Sequence, residues 1–166
     1  KVNNGDEGKT QDFVAALLKN TPVFENGGRA ATTTFSQRNI GDVLVTFENE
    51  ANYVSKKLTQ DQFEIVYPSY TIISEAPVAV VDSVVDKKGT RAAAEAYLKN
   101  LWSEPAQELA ANLYLRPRNA EVLAKHKADF PDIETFNPNE KFGAWSDIMK
   151  KFFADGGLFD QLSGKK

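Results

Sequence analysis

The feature that most constrains this chain is a change of pattern between Pro68 and Pro77. Before it, helical and extended spacings alternate. Phe13, Val14, Leu17 and Leu18 recur at helical spacing and predict a helix over 9–20, with Thr10 as its N-cap. The pair Gly27-Gly28 precedes a second predicted helix, 29–38. Val43-Leu44-Val45 predicts a buried strand over 42–47, and Ala51, Val54 and Leu58 share one face of a third helix, 48–58. A further strand is expected over 63–67. This alternation is that of a mostly parallel sheet with helices on its faces. After the break, 71–74 is extended, 77–82 is rich in valine, and helices are expected over 90–102, 104–113, from Asn119 and over 145–154. With the short apolar run over 22–25, the runs over 42–47 and 63–67 make about three short strands, few for a sheet covered on both faces, where about five or six are usual. The chain therefore reads as a piece of a larger α/β fold.

Composition narrows the chemistry. With 166 residues, 42% hydrophobic and 26% charged, the chain is long enough to bury a core as a soluble globular protein. A net charge of -3 argues against nucleic acid as a partner, because neutralising phosphates needs a surplus of Lys and Arg. The absence of cysteine removes disulfides, thiolate nucleophiles and Cys-based metal sites. The lone His126 sits in a polar run and reads as a solvated surface residue, so neither a His-based metal site nor a Ser/His/Asp triad is expected, and no cofactor is implied. No apolar run approaches the roughly 20 residues that span a bilayer, and the first residues do not have the pattern of a signal peptide. The closing Gly164-Lys165-Lys166 reads as a frayed tail.

The sharpest local feature is Asn26-Gly27-Gly28-Arg29-Ala30-Ala31-Thr32. A helix N-terminus offers unpaired N–H groups and the positive end of the dipole, and glycines let an anion approach them. The same residues also suit an ordinary turn, and the Gly-Lys-Ser/Thr ending of a P-loop is missing. Arg29 could pair with an anion or with a carboxylate, or be a plain surface residue. Asp42, Glu48 and Glu50 supply the carboxylates that a hydrolase would need, but their spacing sets no mutual geometry and they read as helix-start and surface residues. Trp102, Tyr114, Phe142, Trp145, Phe152 and Phe153 read as core between helices.

Taken together, Gly27 to Phe35, Gly41 to Ala51, Phe63 to Ser69, Pro77 to Asp82, Ala94 to Leu98, Tyr114 to Arg118 and Phe153 to Gln161 resemble the sulfate- and thiosulfate-binding proteins of ABC transporters. The likeness runs through essentially the whole chain. It implies the C-terminal half of a two-lobed type II periplasmic binding protein: a parallel-type sheet flanked by helices plus a helical C-terminal segment. Residues 1–69 would form part of the second lobe, 70–82 the hinge crossing strand, and 83–166 helices packing on a first lobe that is mostly absent. It further implies an extracytoplasmic, periplasmic carrier of sulfate or thiosulfate, not an enzyme, whose partners are a membrane permease and the missing N-terminal half. In that family the oxyanion is held in the cleft by neutral donors. The backbone N–H before the family's arginine falls on Gly28, with Arg29 as site neighbour, and the family's tryptophan falls on Phe47. Phenylalanine has no N–H to donate, a departure shared with the thiosulfate branch. The alternatives are an isolated half acting as an interaction module and, with least support, a carboxylate-based hydrolase.

Overall fold

A computed structural model describes residues 3–59 and 62–164. Along the chain run α1 (Glu7–Lys19), α2 (Gly28–Arg38) and α3 (Glu48–Tyr53), which passes into a π-helical turn at Val54–Leu58. Then come β1 (Tyr70–Ile72), α4 (Asp82–Lys88), α5 (Arg91–Asn100), α6 (Glu104–Asn112) and α7 (Ala120–Lys125). The chain continues through β2 (Glu134–Phe136), α8 (Pro138–Phe142), α9 (Trp145–Ile148), a second π-helical turn at Met149–Phe153, and α10 (Leu158–Ser163). The fold is mixed α/β, with helices flanking a small sheet of β1 and β2. The strands run parallel, and Ile73 N–H donates to Phe136 O at 3.0 Å. Among the described residues no helix is long and apolar enough to cross a membrane.

The chain divides into two compact units. The first takes residues up to Leu44, Tyr70–Ile73 and those from Thr135 onward. Asp6 caps α1 by accepting the Lys9 N–H at 3.0 Å, and Thr10 lies inside the helix, donating its hydroxyl to Asp6 O. The carboxylate is the better cap because it also favours the positive helix end. Helix α1 packs on α10. Much of the unit is joined by a chain of rings from Tyr70 on Phe136 (centroids 4.9 Å) through Phe142 and Phe152 to Phe153, Phe159 and Phe24. Each such contact adds about 0.5–1.5 kcal/mol beyond the area it buries.

The second unit takes Val45–Ser69 and Ser74–Glu134. Its core is Ala111, Val122 and Phe130, each 0–1% exposed, with Leu123 packed against them. Asn119 caps α7 through Oδ1 to the N–H groups of Glu121 and Val122, and Ser103 caps α6, which carries proline in its first turn. Gln107 holds the connection between α6 and α7: its Oε1 accepts the N–H groups of Arg118 and Asn119, and its Nε2 donates to Leu101 O.

Several expectations are corrected. Residues 42–47 and 63–67 carry no strand pairing, and Val43, Val45 and Val66 are 80–82% exposed. The burial of 63–67 still alternates, with Phe63, Ile65 and Tyr67 turned inward, so the two-residue period is real but the pairing is not formed. The valine-rich 77–82 leads into α4, an unanticipated helix started by Asp82 and stopped at the left-handed Gly89 (φ 64°). The inward face of α3 and its π-helical turn is largely polar, because Glu50, Asn52 and Ser55 are buried with Val54 while Leu58 is 41% exposed. Trp102, Phe142, Trp145 and Phe153 are more than half exposed and do not form a core between helices. His126 is half-buried and its Nε2 lies 2.7 Å from Glu108 Oε2, a partner 18 residues away that its polar neighbours do not reveal. Of the expected frayed tail, Lys165 and Lys166 lie outside the described residues.

Candidate functional site

The glycine pair lies in the first unit. Gly27 takes φ 120° and ψ 150°, a backbone state that side chains with a Cβ rarely adopt, and a Cβ added there would meet nothing within 4 Å. The turn thus requires glycine, and the space over it is open. Gly28 begins α2 and Ala31 N–H closes the first helical bond, to Gly27 O at 3.2 Å. Ahead of that bond, the N–H groups of the first turn point out of the helix, with no side-chain cap and no acidic residue in the turn. No residue of the first turn therefore complements the positive end of the dipole. Thr34 fixes the approach: its hydroxyl, buried in the second turn, donates to Glu25 Oε1 at 2.5 Å and ties the incoming loop along the helix. Gly28 is half-buried and Arg29 is exposed.

Phe47 belongs to the second unit. It is the N-cap residue of α3, in extended conformation (φ -72°, ψ 151°), with its ring 58% exposed and its carbonyl accepting the Ala51 N–H at 3.0 Å. Behind it Glu48, Asn52 and Lys56 follow one another at four-residue spacing. Glu48 receives both Nε and Nη2 of Arg116, at 2.9 and 2.6 Å. Asn52, 1% exposed, donates Nδ2 to Glu48 O at 3.1 Å and to the Tyr67 hydroxyl at 3.0 Å. Lys56 pairs with Asp129 and stands 5.3 Å from the centre of the Tyr114 ring. The Glu48 hydrogen bond raises the Arg116 pKa, outweighing the partial burial that opposes it. Thr46 Oγ1, next to Phe47, is buried and has no hydrogen-bond partner among the described residues.

Chemically, the start of α2 offers polar N–H groups in the first unit, and Phe47 offers an apolar ring in the second. Glu48 is consumed by Arg116, and Glu50 is buried 7% exposed on the same helix, so the acidic residues near Phe47 do not form the facing pair a glycosidase-type hydrolysis needs. In a groove touching Ser74, Glu75, Lys99, Trp102, Arg116 and Arg118, Arg118 pairs with Glu75 at 2.8 Å as Arg116 does with Glu48, and Lys99 is the cation without a carboxylate partner among the described residues. No group of three or more His, Cys, Asp or Glu side chains is placed to hold a metal ion among the described residues. The Arg116–Glu48 pair spans 68 residues and leaves no local trace in the sequence. Of the residues singled out from sequence, Gly28 and Arg29 lie in one unit and Phe47 in the other.

Comparison with known proteins gives a consistent result. The sequence profile of the bacterial extracellular solute-binding proteins matches residues 5–112. A thiosulfate-binding protein of Pseudomonas aeruginosa is 56% identical over 160 residues, covering 96% of this chain and 48% of its own length. A sulfate-binding protein of Escherichia coli is 52% identical over 161 residues (97% and 49%), and a thiosulfate-binding protein of the same organism is 46% identical over 162 residues (98% and 48%). The chain thus spans about half the length of the curated relatives it matches.

Proposed function

Since the chain belongs to the bacterial extracellular solute-binding proteins, we propose that the complete protein captures sulfate or thiosulfate in the periplasm and delivers it to the membrane permease of an ABC importer, without chemistry. The observation that carries this reading is the start of α2: a glycine turn open to solvent, no cap and no acidic residue, ahead of an 11-residue helix. That is a local dipole suited to a small anion in a protein whose net charge is negative. Gly28 supplies a backbone N–H donor, Arg29 neighbours it, and Phe47 stands where a tryptophan donor stands in the sulfate branch. The remaining donors come from the part of the complete protein outside this chain. In the same proposal residues 1–69 belong to the second lobe, 70–82 are the hinge crossing and 83–166 pack on the first lobe. Val43, Val45 and Val66, exposed on extended segments without strand partners, favour that completion by a further part of the polypeptide.

Calorimetric titration of the full-length protein tests the reading. Micromolar binding of at least one of the two anions is expected, and binding of neither refutes it. Phe47→Trp restores an N–H donor and should shift the preference toward sulfate by about tenfold, the worth of one hydrogen bond to a charged group. An unchanged ratio removes Phe47 as a selectivity residue. A chain of 166 residues that binds neither anion yet associates tightly with the separately produced remainder would favour an interaction module.

A further inference from the structure

Arg116 is held more elaborately than a surface arginine needs to be. Its fork takes both carboxylate oxygens of Glu48, Nη2 also donates to Pro131 O at 3.0 Å, and its guanidinium carbon lies 5.3 Å from the centre of the Phe130 ring, a ring only 1% exposed. Both partners are largely shielded, with side chains 33% and 24% exposed. The pair sits one residue from Phe47. There the first turn of α3 carries Glu48 and Glu50, whereas the first turn of α2 carries no acid at all. Carboxylates at a helix start complement the dipole, but one beside a bound dianion repels it.

We propose that Arg116 is a positioning residue for anion binding: by chelating Glu48 it cancels the carboxylate beside Phe47 and turns it onto the core, leaving the exposed Phe47 ring to meet the anion. This rests on the reading of Phe47 given above. The pair acts as a neutral unit. Both carboxylate oxygens already accept from Arg116, so Glu48 is a weaker acceptor for donors aimed at the ligand and its charge is balanced by the guanidinium. Arg116 in turn has three of its donors committed within the unit and does not reach for the ligand itself.

The two partners can be removed separately, and the signs of the effects differ. In the full-length protein, Arg116→Met exposes an uncompensated carboxylate and should weaken sulfate and thiosulfate binding by about tenfold. Glu48→Gln breaks the same ion pair yet removes the repulsive charge, so both anions should bind as tightly as to the unmodified protein or more tightly. The double variant, Glu48→Gln with Arg116→Met, should return to within about threefold of the unmodified protein, a coupling that a double-mutant cycle measures directly. Raising the salt from about 0.1 M to about 1 M should shrink the Arg116→Met deficit as the Debye length falls. A merely structural role predicts that the two single variants lose affinity alike, and that result overturns the proposal, as does Arg116→Met binding within about twofold of the unmodified protein. Should Arg116→Met fail to fold, Glu48→Gln decides alone: a folded variant weakened more than about threefold refutes the proposal, and undiminished affinity supports it. An unmodified protein that binds neither anion overturns the reading of Phe47 itself, a failure distinct from any pattern among the variants, and takes this inference with it.

Discussion

Asn52 is the side chain whose removal should be felt most strongly behind Phe47. It is 1% exposed and spends its amide nitrogen on Glu48 O (3.1 Å) and the Tyr67 hydroxyl (3.0 Å). Asn52→Ala leaves the Tyr67 hydroxyl with one long contact, 3.5 Å to Asp129 O. The lost bond to Tyr67 is worth about 1 kcal/mol, and the poorly satisfied hydroxyl costs about 1 more. The space vacated by the amide adds about another 1 kcal/mol, for a total near ~3 kcal/mol. Tyr67→Phe deletes the hydroxyl but leaves Asn52 bonded to Glu48 O, so its cost should be only about 1 kcal/mol. The two residues are in contact, and their effects should be non-additive by about 1 kcal/mol. Native-state hydrogen exchange reads this in the right place. The amides of Leu123 and His126, bonded to Asn119 O and Val122 O, flank the core of the same unit. Their exchange should quicken by about a hundredfold in Asn52→Ala and several-fold in Tyr67→Phe. A coupling below about 0.3 kcal/mol in the double-mutant cycle would refute the view that these two groups form one buried network.

Two further perturbations test other parts of the structure. Thr46→Val replaces a buried hydroxyl that has no partner among the described residues with a methyl of similar shape, and should stabilise the chain by about 1 kcal/mol in urea titration; destabilisation would show that the hydroxyl is satisfied. Glu108 is held below the usual carboxylate range, first by the hydrogen bond from Lys125 and then by that to His126. A lowered folded-state pKa gives stability that is present above the ordinary glutamate value and fades as pH falls through the depressed one. The Tm deficit of Glu108→Gln should accordingly be present at neutral pH and vanish in strong acid, and an unchanged deficit there would contradict the assignment.

Local signals carried what they physically can. The glycine turn before α2 was legible because a residue at φ 120° must be glycine, and the caps of α6 and α7 follow from Ser103 and Asn119, whose side chains bond groups two or three residues away. The helices α5, α6, α7 and α9 were legible from local spacing, whereas β2, α8 and α10 were not expected. Helix α4 was not, because Val84 and Val85 continue a valine-rich run that reads as a strand, and only Asp82 and Gly89 betray the helix. The extended runs over 42–47 and 63–67 show how far periodicity reaches: alternation specifies a conformation able to pair, but a ladder needs a partner strand, and none pairs with them here.

The sequence by itself determined the period of many segments, the turn at Gly27-Gly28, the absence of thiol chemistry and, through chain-wide resemblance, the family. Each of these depends on the residue itself, on neighbours within a helical turn or on the whole string of letters. Tertiary structure alone decided the rest. It brought Arg116 to Glu48 across 68 residues, Tyr67 to Asn52 across 15, and His126 to Glu108 across 18. It also gave the helix after Phe47 a polar buried face where apolar spacing had suggested an ordinary one. The reason is that a buried charge or amide is tolerated only when a partner meets it, and the chain's path through space decides which partner arrives.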